Sequence, residues 1–396
     1  MSIYRVLALA SLLVMAGCVS QSVKKVNATQ AAYADRELAA HELLDIAIPA
    51  FDPGVPETIQ EQEEANISPA VREAEASYLP TVLRGTLART GHWGAVRVVP
   101  GPEALADLVI RGRILASDGE RLRLHIEARD ATGRVWLDRQ YEESAAEFAY
   151  TEKLPPGTDP FQDVYNRIAN DLLQVRQRLT PEQLVAVQRV ADLRFAARLS
   201  PERFQDYLAE QPPGNYRVVR LPPPNDPLLA RVDQIRQRDE LFVDTLDQHY
   251  LGYQESIGRT YQNWRAASYR EALAYRELRA QEWTRKILGA AAVIGGVVAA
   301  SQAESATEAN LGQLAVIGGV YAFKSGMDKG SEKQLHAEAL RELTQSLAAD
   351  VQPQTVTLAG KTVMLTGSAE EQYEQWQALL RQMYAAETGL PVDGGS

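Results

Sequence analysis

Once Asp226 and Pro227 have opened it, the helical pattern of this chain meets no proline until Pro353. Proline removes an intrahelical donor and clashes with the preceding turn, so its absence over that distance permits very long helices. Asp226 is placed to cap and Pro227 to occupy the first helical position. Leu246, Tyr250, Tyr253, Ile257, Tyr261, Trp264, Ser268, Ala272, Tyr275 and Leu278 then recur in steps of three and four, the spacing of one coiled-coil-like seam. Unbroken to Ala300, such a helix spans on the order of 110 Å. Gly252 and Gly258 each cost about 1 kcal/mol relative to Ala and mark places for a bend. The aromatic residues suit either packing against a partner helix or stacking on peptidoglycan sugars. Packing is the commoner fate of such a stripe and is the reading adopted.

The same stretch ends in a second pattern. Ile287 to Ala300 carries no polar side chain, Ser301 to Asn310 is polar with Glu304 and Glu308, and Leu311 to Phe323 is again apolar and glycine-rich. Ala292, Gly296 and Ala300 are four apart, as are Ala315 and Gly319, which lets two helical backbones approach closely. Residues 287–323 therefore read as a helical hairpin. Three arrangements satisfy it: close packing within one monomer or between subunits, insertion into a lipid leaflet, or an ordinary buried core. Each arm is about 20 Å long against roughly 30 Å of hydrocarbon, so spanning a bilayer alone is disfavoured. Beyond Gly330, Leu335, Ala339, Leu343 and Leu347 continue a polar helical pattern through Ala349.

At the other end, Arg5 and the amino terminus precede an apolar run from Val6 to Met15, and the small residues Ala16 and Gly17 precede Cys18. The run is about half of what a spanning helix needs and reads as a secretory signal over residues 1–17. Met15-Ala16-Gly17-Cys18 resembles the bacterial lipobox, with Met in place of the usual Leu. That resemblance implies a diacylglycerol on the Cys18 sulfur, cleavage before it and acylation (palmitate) of the new amino group, a membrane partner through the lipid anchor, and, without Asp beside the cysteine, an outer-membrane address facing the periplasm. Cys18 is the single cysteine of the chain, and a lone cysteine in an exported protein calls for such a role. Residues 18–42 read as a tether, polar and flexible from Val19 to Arg36.

A net charge of −11 argues against nucleic acid and against adhesion to an anionic membrane surface. The partners expected are envelope proteins, copies of the same chain, or glycans.

Between these ends, Leu43 to Ala50 suits a buried strand, and residues 52–66 read as a loop whose Glu61, Glu63 and Glu64 form a solvated charge run. Ser68-Pro69 opens a helix that Gly91 closes. Val96 to Val99 is a strand. The period then becomes two, giving strands at Leu108 to Ala116, Leu122 to Ala128 and Val135 to Tyr141 with Asp118-Gly119 and Thr132-Gly133 as turns. Asp159, Pro160 and Gln162 form a capping box for a helix to Leu179. Strand, helix, strand, three-strand meander and helix make a mixed sheet with helices on one face. Ile46-Ala47-Ile48-Pro49-Ala50-Phe51, then Leu83 and Leu87 before Gly91-His92-Trp93, then Ala106-Asp107-Leu108-Val109-Ile110-Arg111-Gly112, resemble the domain shared by the TolB amino-terminal region, the curli-secretion lipoprotein CsgG and the lipoprotein activators of penicillin-binding proteins. Over residues 43–179 this implies a periplasmic protein-docking module and carries over no functional residue.

Residues 180–224 read as a helical connector: Thr180-Pro181-Glu182-Gln183 is a capping box, Ser200-Pro201 opens a further helix, and Pro212-Pro213-Gly214 ends it. Tyr216 to Leu221 suits an edge strand before a boundary at Pro222, Pro223 and Pro224. Residues 225–350 form the long helical region and 351–396 a small cap. In the cap, Thr355 to Leu358 and Thr362 to Leu365 read as a hairpin, available to pair with Tyr216 to Leu221, and Ser368 and Glu371 cap a last helix stopped near Gly389. The fold class is α+β.

Catalytic chemistry is not legible. His41, His92, His125, His249 and His336 are scattered without metal-ligand spacing. Gly318 with Phe323-Lys324-Ser325 lacks the second glycine of a phosphate loop, and no Gly-x-Ser-x-Gly elbow occurs. No metal, cofactor or enzymatic activity is expected. The expected role is a structural or assembly component of an envelope complex, with a peptidoglycan-binding protein or a regulator of a cell-wall enzyme as the alternative.

Overall fold

A computed structural model describes residues 29–65, 67–101, 105–151, 158–211, 214–223, 225–299, 354–358 and 361–389. The signal segment 1–17, Cys18, Ala300, Ala315, Gly319 and the helical pattern of residues 330–349 lie outside the described residues, as do residues 301–323 of the expected hairpin. The chain is mixed α+β, as its patterning implies.

The first unit comprises β1 (Ile46–Pro49), α1 (Ile59–Glu64), α2 (Pro69–Thr90), β2 (Val96–Val99), β3 (Leu108–Ser117), β4 (Arg121–Asp130), β5 (Val135–Ser144), α3 (Phe148–Thr151) and α4 (Gln162–Gln177). The strands form one sheet in the order β2-β1-β3-β4-β5. β1 runs parallel to both β2 and β3, and β3, β4 and β5 form the antiparallel meander. Ile46, Ile48, Leu108, Ile110, Leu124 and Ile126 pack one face against Leu79, Leu83 and Leu87 of α2 and Val164, Ile168 and Leu172 of α4. Along the meander the opposite face is solvated, with Arg111, Arg113, Arg121, Arg123, Asp138 and Gln140 exposed.

The remaining elements are α5 (Pro181–Leu199), α6 (Pro201–Phe204), β6 (Leu208–Gln211), β7 (Asn215–Val218), α7 (Pro227–Ala299), β8 (Gln354–Leu358), β9 (Lys361–Leu365) and α8 (Ala369–Thr388). α7 is a single helix of 73 residues that passes Gly252 and Gly258 without interruption. Asp226 Oδ1 accepts from the Leu228 N–H at 2.9 Å and so caps its start. Its Val232, Ile235, Phe242, Val243, Leu246 and Tyr250 enter a cluster with Ala47, Val98 and Val99 of the sheet, Phe195 and Leu199 of α5, and Trp376 and Leu380 of α8. Tyr253, Ile257, Tyr261, Trp264 and Tyr269 then join the first core. Residues on both sides of the proline run at 222–224 thus share one packed body.

Several expectations are corrected. Helices cover not one face of the sheet but both at its β1–β2 end, because Ala47 and Val99 meet α5, α7 and α8 while Ile46 and Ile48 meet α2 and α4. Residues 52–66 are not all loop: α1 lies within them, with Thr58 Oγ1 accepting from the Glu61 N–H at 3.3 Å, a capping pair visible in Thr58 and Glu61. The segment 200–211 is one helical turn, α6, a 3-10 turn and then β6, which pairs with β7. β7 therefore takes its partner from its own hairpin, while β8 pairs with β9. Tertiary contacts override the helical pattern here: the Tyr216 N–H donates to the Thr132 carbonyl at 2.7 Å, and Arg194 stacks 4.5 Å over the Tyr216 ring. The start of α4 moves to Gln162, with Phe161 at the cap and no side-chain cap bond. Finally, residues 29–34 of the expected flexible tether are docked on the body through backbone hydrogen bonds.

Candidate functional site

α7 organises the molecule, and the seam read from its sequence shows where it is fixed. Leu246, Tyr250, Tyr253, Ile257, Tyr261, Trp264 and Ser268 are all buried, so these aromatic residues are not a platform open to sugars. Their partners are the chain's own sheet, α2 and α8. Tyr261 packs edge-on to Tyr78 of α2 at 4.7 Å, and Phe242 stacks on Trp376 of α8 at 4.7 Å.

A charged latch lies within this apolar seam. Arg265, 0% exposed, donates from Nη1 and Nη2 to the two oxygens of Asp159 at 3.0 and 2.8 Å. Its guanidinium also sits 4.3 Å over the Tyr261 ring. Burial by itself would lower the Arg265 value, but Asp159 and the surrounding tyrosines hold it well above the ordinary one. Next to it, Glu75 of α2 is likewise fully buried. Its Oε1 accepts from Ser117 of β3, and from the Tyr261 hydroxyl at 2.6 Å. Arg72 Nε approaches its Oε2 at 3.7 Å. Burial pushes the Glu75 carboxyl up, against the opposing pull of Arg72, Ser117 and Tyr261. The site is closed to solvent, so its chemistry is positional: it ties α2, β3, the 158–161 segment and α7 to one register.

Further toward the start of α7, Asp247 accepts from Arg84 of α2 at 2.7 Å and from the Val98 N–H at 2.8 Å. The helix therefore shields the outer edge of β2 from pairing with another strand. Asp239 accepts from the Trp376 indole at 3.0 Å and fastens α8.

A cleft of about 460 Å³ opens where β1, β2, α5, α7 and α8 meet, lined by Asp45, Arg97, Asp107, Asp192, Arg236 and Glu240 among others. Arg97 is held by Asp244 at 2.5 Å and by Asp45 at 3.7 Å, and Arg236 pairs with Asp192. The Asp45 N–H donates to Asp107 Oδ2 at 2.9 Å. Burial pushes the Asp107 carboxyl up to about 6. With both arginines paired, the lining suits a cationic group better than an anion.

Among the sequence-derived positions, Ala292 and Gly296 lie on the backbone of α7, four residues and thus about one turn apart. Reasoning from the sequence missed the latch and the cleft. The visible hints were Asp45 and Asp107, each just before a strand, and Arg265 inside an apolar seam. Among the described residues no group of three or more His, Cys, Asp or Glu is arranged to hold a metal ion. No helix among them is long and apolar enough to cross a membrane. Comparison with family models, with curated proteins and with solved structures finds no match.

Proposed function

We propose that this chain is a lipid-anchored envelope protein, acylated at Cys18 and facing the periplasm from the outer membrane, that acts by binding rather than catalysis. In this reading it is a structural or assembly component whose partners are envelope proteins and further copies of itself. The observation that carries it is the construction of α7. Its described packing runs to Leu273, the Arg265–Asp159 pair fixes its register, and the helix continues to Ala299, about 39 Å farther at 1.5 Å per residue. That last portion holds Ala292 and Gly296 with the glycine- and alanine-rich run of residues 287–299, a composition suited to close helix–helix contact. The mixed sheet with its meander also accords with the docking module that the TolB-like and CsgG-like resemblance implies. The peptidoglycan alternative loses support because Tyr250, Tyr253, Tyr261 and Trp264 of the stripe are buried.

Crosslinking in intact envelopes followed by capture of the tagged full-length chain tests the reading. A defined set of envelope proteins should be recovered with the chain. Retention on purified sacculi with no protein partner would favour the glycan alternative. Metabolic labelling with a palmitate analogue should be lost in Cys18→Ser, and persistent labelling would rule out the anchor.

A further inference from the structure

Residues 29–32 lie along α4, where Asp163, Asn166 and Asn170 form one stripe of the helix surface. The Thr29 N–H donates to Asp163 Oδ1 at 3.2 Å, and Asn166 Nδ2 donates to the Thr29 carbonyl at 2.8 Å. Asn170 Nδ2 donates to the Gln30 carbonyl at 2.9 Å while its Oδ1 accepts from the Ala32 N–H at 2.9 Å. The Ala34 N–H then donates to the Thr90 carbonyl at the end of α2 at 2.8 Å. Every one of these bonds uses the segment's backbone, and its large side chain, Tyr33, is 63% exposed. Asn and Asp are poor formers of a helix interior. On α4 they act as a row of donors and acceptors for the backbone of residues 29–32. The next fixed point along the chain is the stretch 40–43, where Gln188 Nε2 donates to the Ala40 and Leu43 carbonyls at 3.3 and 2.8 Å and Arg176 Nη2 donates to the Glu42 carbonyl at 2.6 Å.

We infer that the Asp163–Asn166–Asn170 stripe is a docking site for the chain's own anchor-proximal segment and works as a latch on the length of its tether. With residues 29–34 docked, Cys18 lies within about 38 Å of Thr29 at full extension of the intervening chain. With them released back to Ala40, the reach roughly doubles, to about 75 Å. The docked state holds the α2–α4 side of the body close to the bilayer, and the released state lets the body meet partners standing farther off. A segment held by backbone hydrogen bonds with little apolar burial suits such a switch, because water replaces its bonds at small net cost. The membrane end of this inference rests on the reading of Cys18 as the lipid attachment. The docking itself does not.

The test uses the chain's having no other cysteine. In the full mature chain carrying Cys18→Ser, a spin label at Gln30→Cys should give a motionally restricted spectrum. Ala32→Pro, which removes the N–H bound by Asn170 and leaves α4 untouched, and separately Asn170→Ala, should each narrow it to that of a free peptide. A label mobile in the parent, or unmoved by both substitutions, would overturn the docking site. In the lipidated protein on phosphatidylethanolamine–phosphatidylglycerol vesicles, a dye at Gln174→Cys should transfer energy to a membrane acceptor, and Ala32→Pro should lower that transfer, the mean span of a flexible tether growing with the square root of its length. Equal transfer in both vesicle-bound proteins would overturn the latch on tether length. Failure to bind vesicles at all would instead overturn the anchor at Cys18, while the spin-label result would stand.

Discussion

Arg265 and Asp159 are tied together although 106 positions separate them in the chain, and the consequences of removing one and of removing both are unequal. Arg265→Met leaves a carboxylate buried without a counter-charge and should lower stability by about 3–5 kcal/mol. The double variant Arg265→Met/Asp159→Leu should regain much of that loss, since an apolar pair of similar volume avoids desolvating charge. Urea denaturation of the singles and the double measures both, and additive losses would contradict a coupled pair. Asp107 gives a pH signature. Its ordinary value is 3.8 and burial raises it to about 6, so below about pH 4 both folded and unfolded chains are protonated. As pH rises toward 6 the unfolded chain ionises first, and stability falls. Asp107→Asn should flatten that slope and add on the order of 2 kcal/mol at neutral pH, with allowance for solvent screening. Thermal melts between pH 4 and 7 check it. An unchanged slope would show that Asp107 does not bind its proton more tightly in the fold.

Elements whose signals are local were legible in the sequence. Thr180 and Ser368 are N-caps with reciprocal Gln183 and Glu371 bonds, and Gly91 and Gly389 end their helices in the left-handed region. Asp159 carries the same local spacing with Gln162 but spends its carboxylate on Arg265 and the Phe161 N–H, a demand from a distant residue that no window of sequence displays. Likewise the three- and four-residue steps of α7 identified its buried face but not what covers it, since period encodes a face and not a partner. The hairpin of β6 and β7 escaped because Leu208-Ala209-Glu210-Gln211 is a helical composition overruled by its neighbours. The turn at Asp118-Gly119 was read from its chemistry, yet Gly119 has a second duty. A Cβ there would stand 2.4 Å from the Arg265 carbonyl, and its φ is +79°. Gly119→Ala should therefore cost about 2 kcal/mol or more, from a strained turn and a displaced α7 together. Gly214→Ala, with a similar φ of +70° but nothing within 4 Å, should cost only about 1 kcal/mol. Equal losses by chemical denaturation would show that the β3–β4 turn does not bear on the helix.

At the scale of the whole molecule, both ends of the described body are fastened by polar contacts laid over an apolar core. Residues 29–32 are held on α4 by Asp163, Asn166 and Asn170, and α7 is held on the sheet by buried charge. Such a body fixes where residue 29 and the start of the glycine-rich run at Ile287 lie along the fold, which suits the assembly role proposed above. The most direct measurement is the mass of the mature protein, extracted in mild detergent and followed by light scattering with the detergent contribution subtracted. The account predicts a defined multiple of the monomer for the native chain and a shift to monomer for Gly296→Leu, with the melting temperature of the body retained. A monomeric native protein, or an unchanged mass for Gly296→Leu, would contradict it.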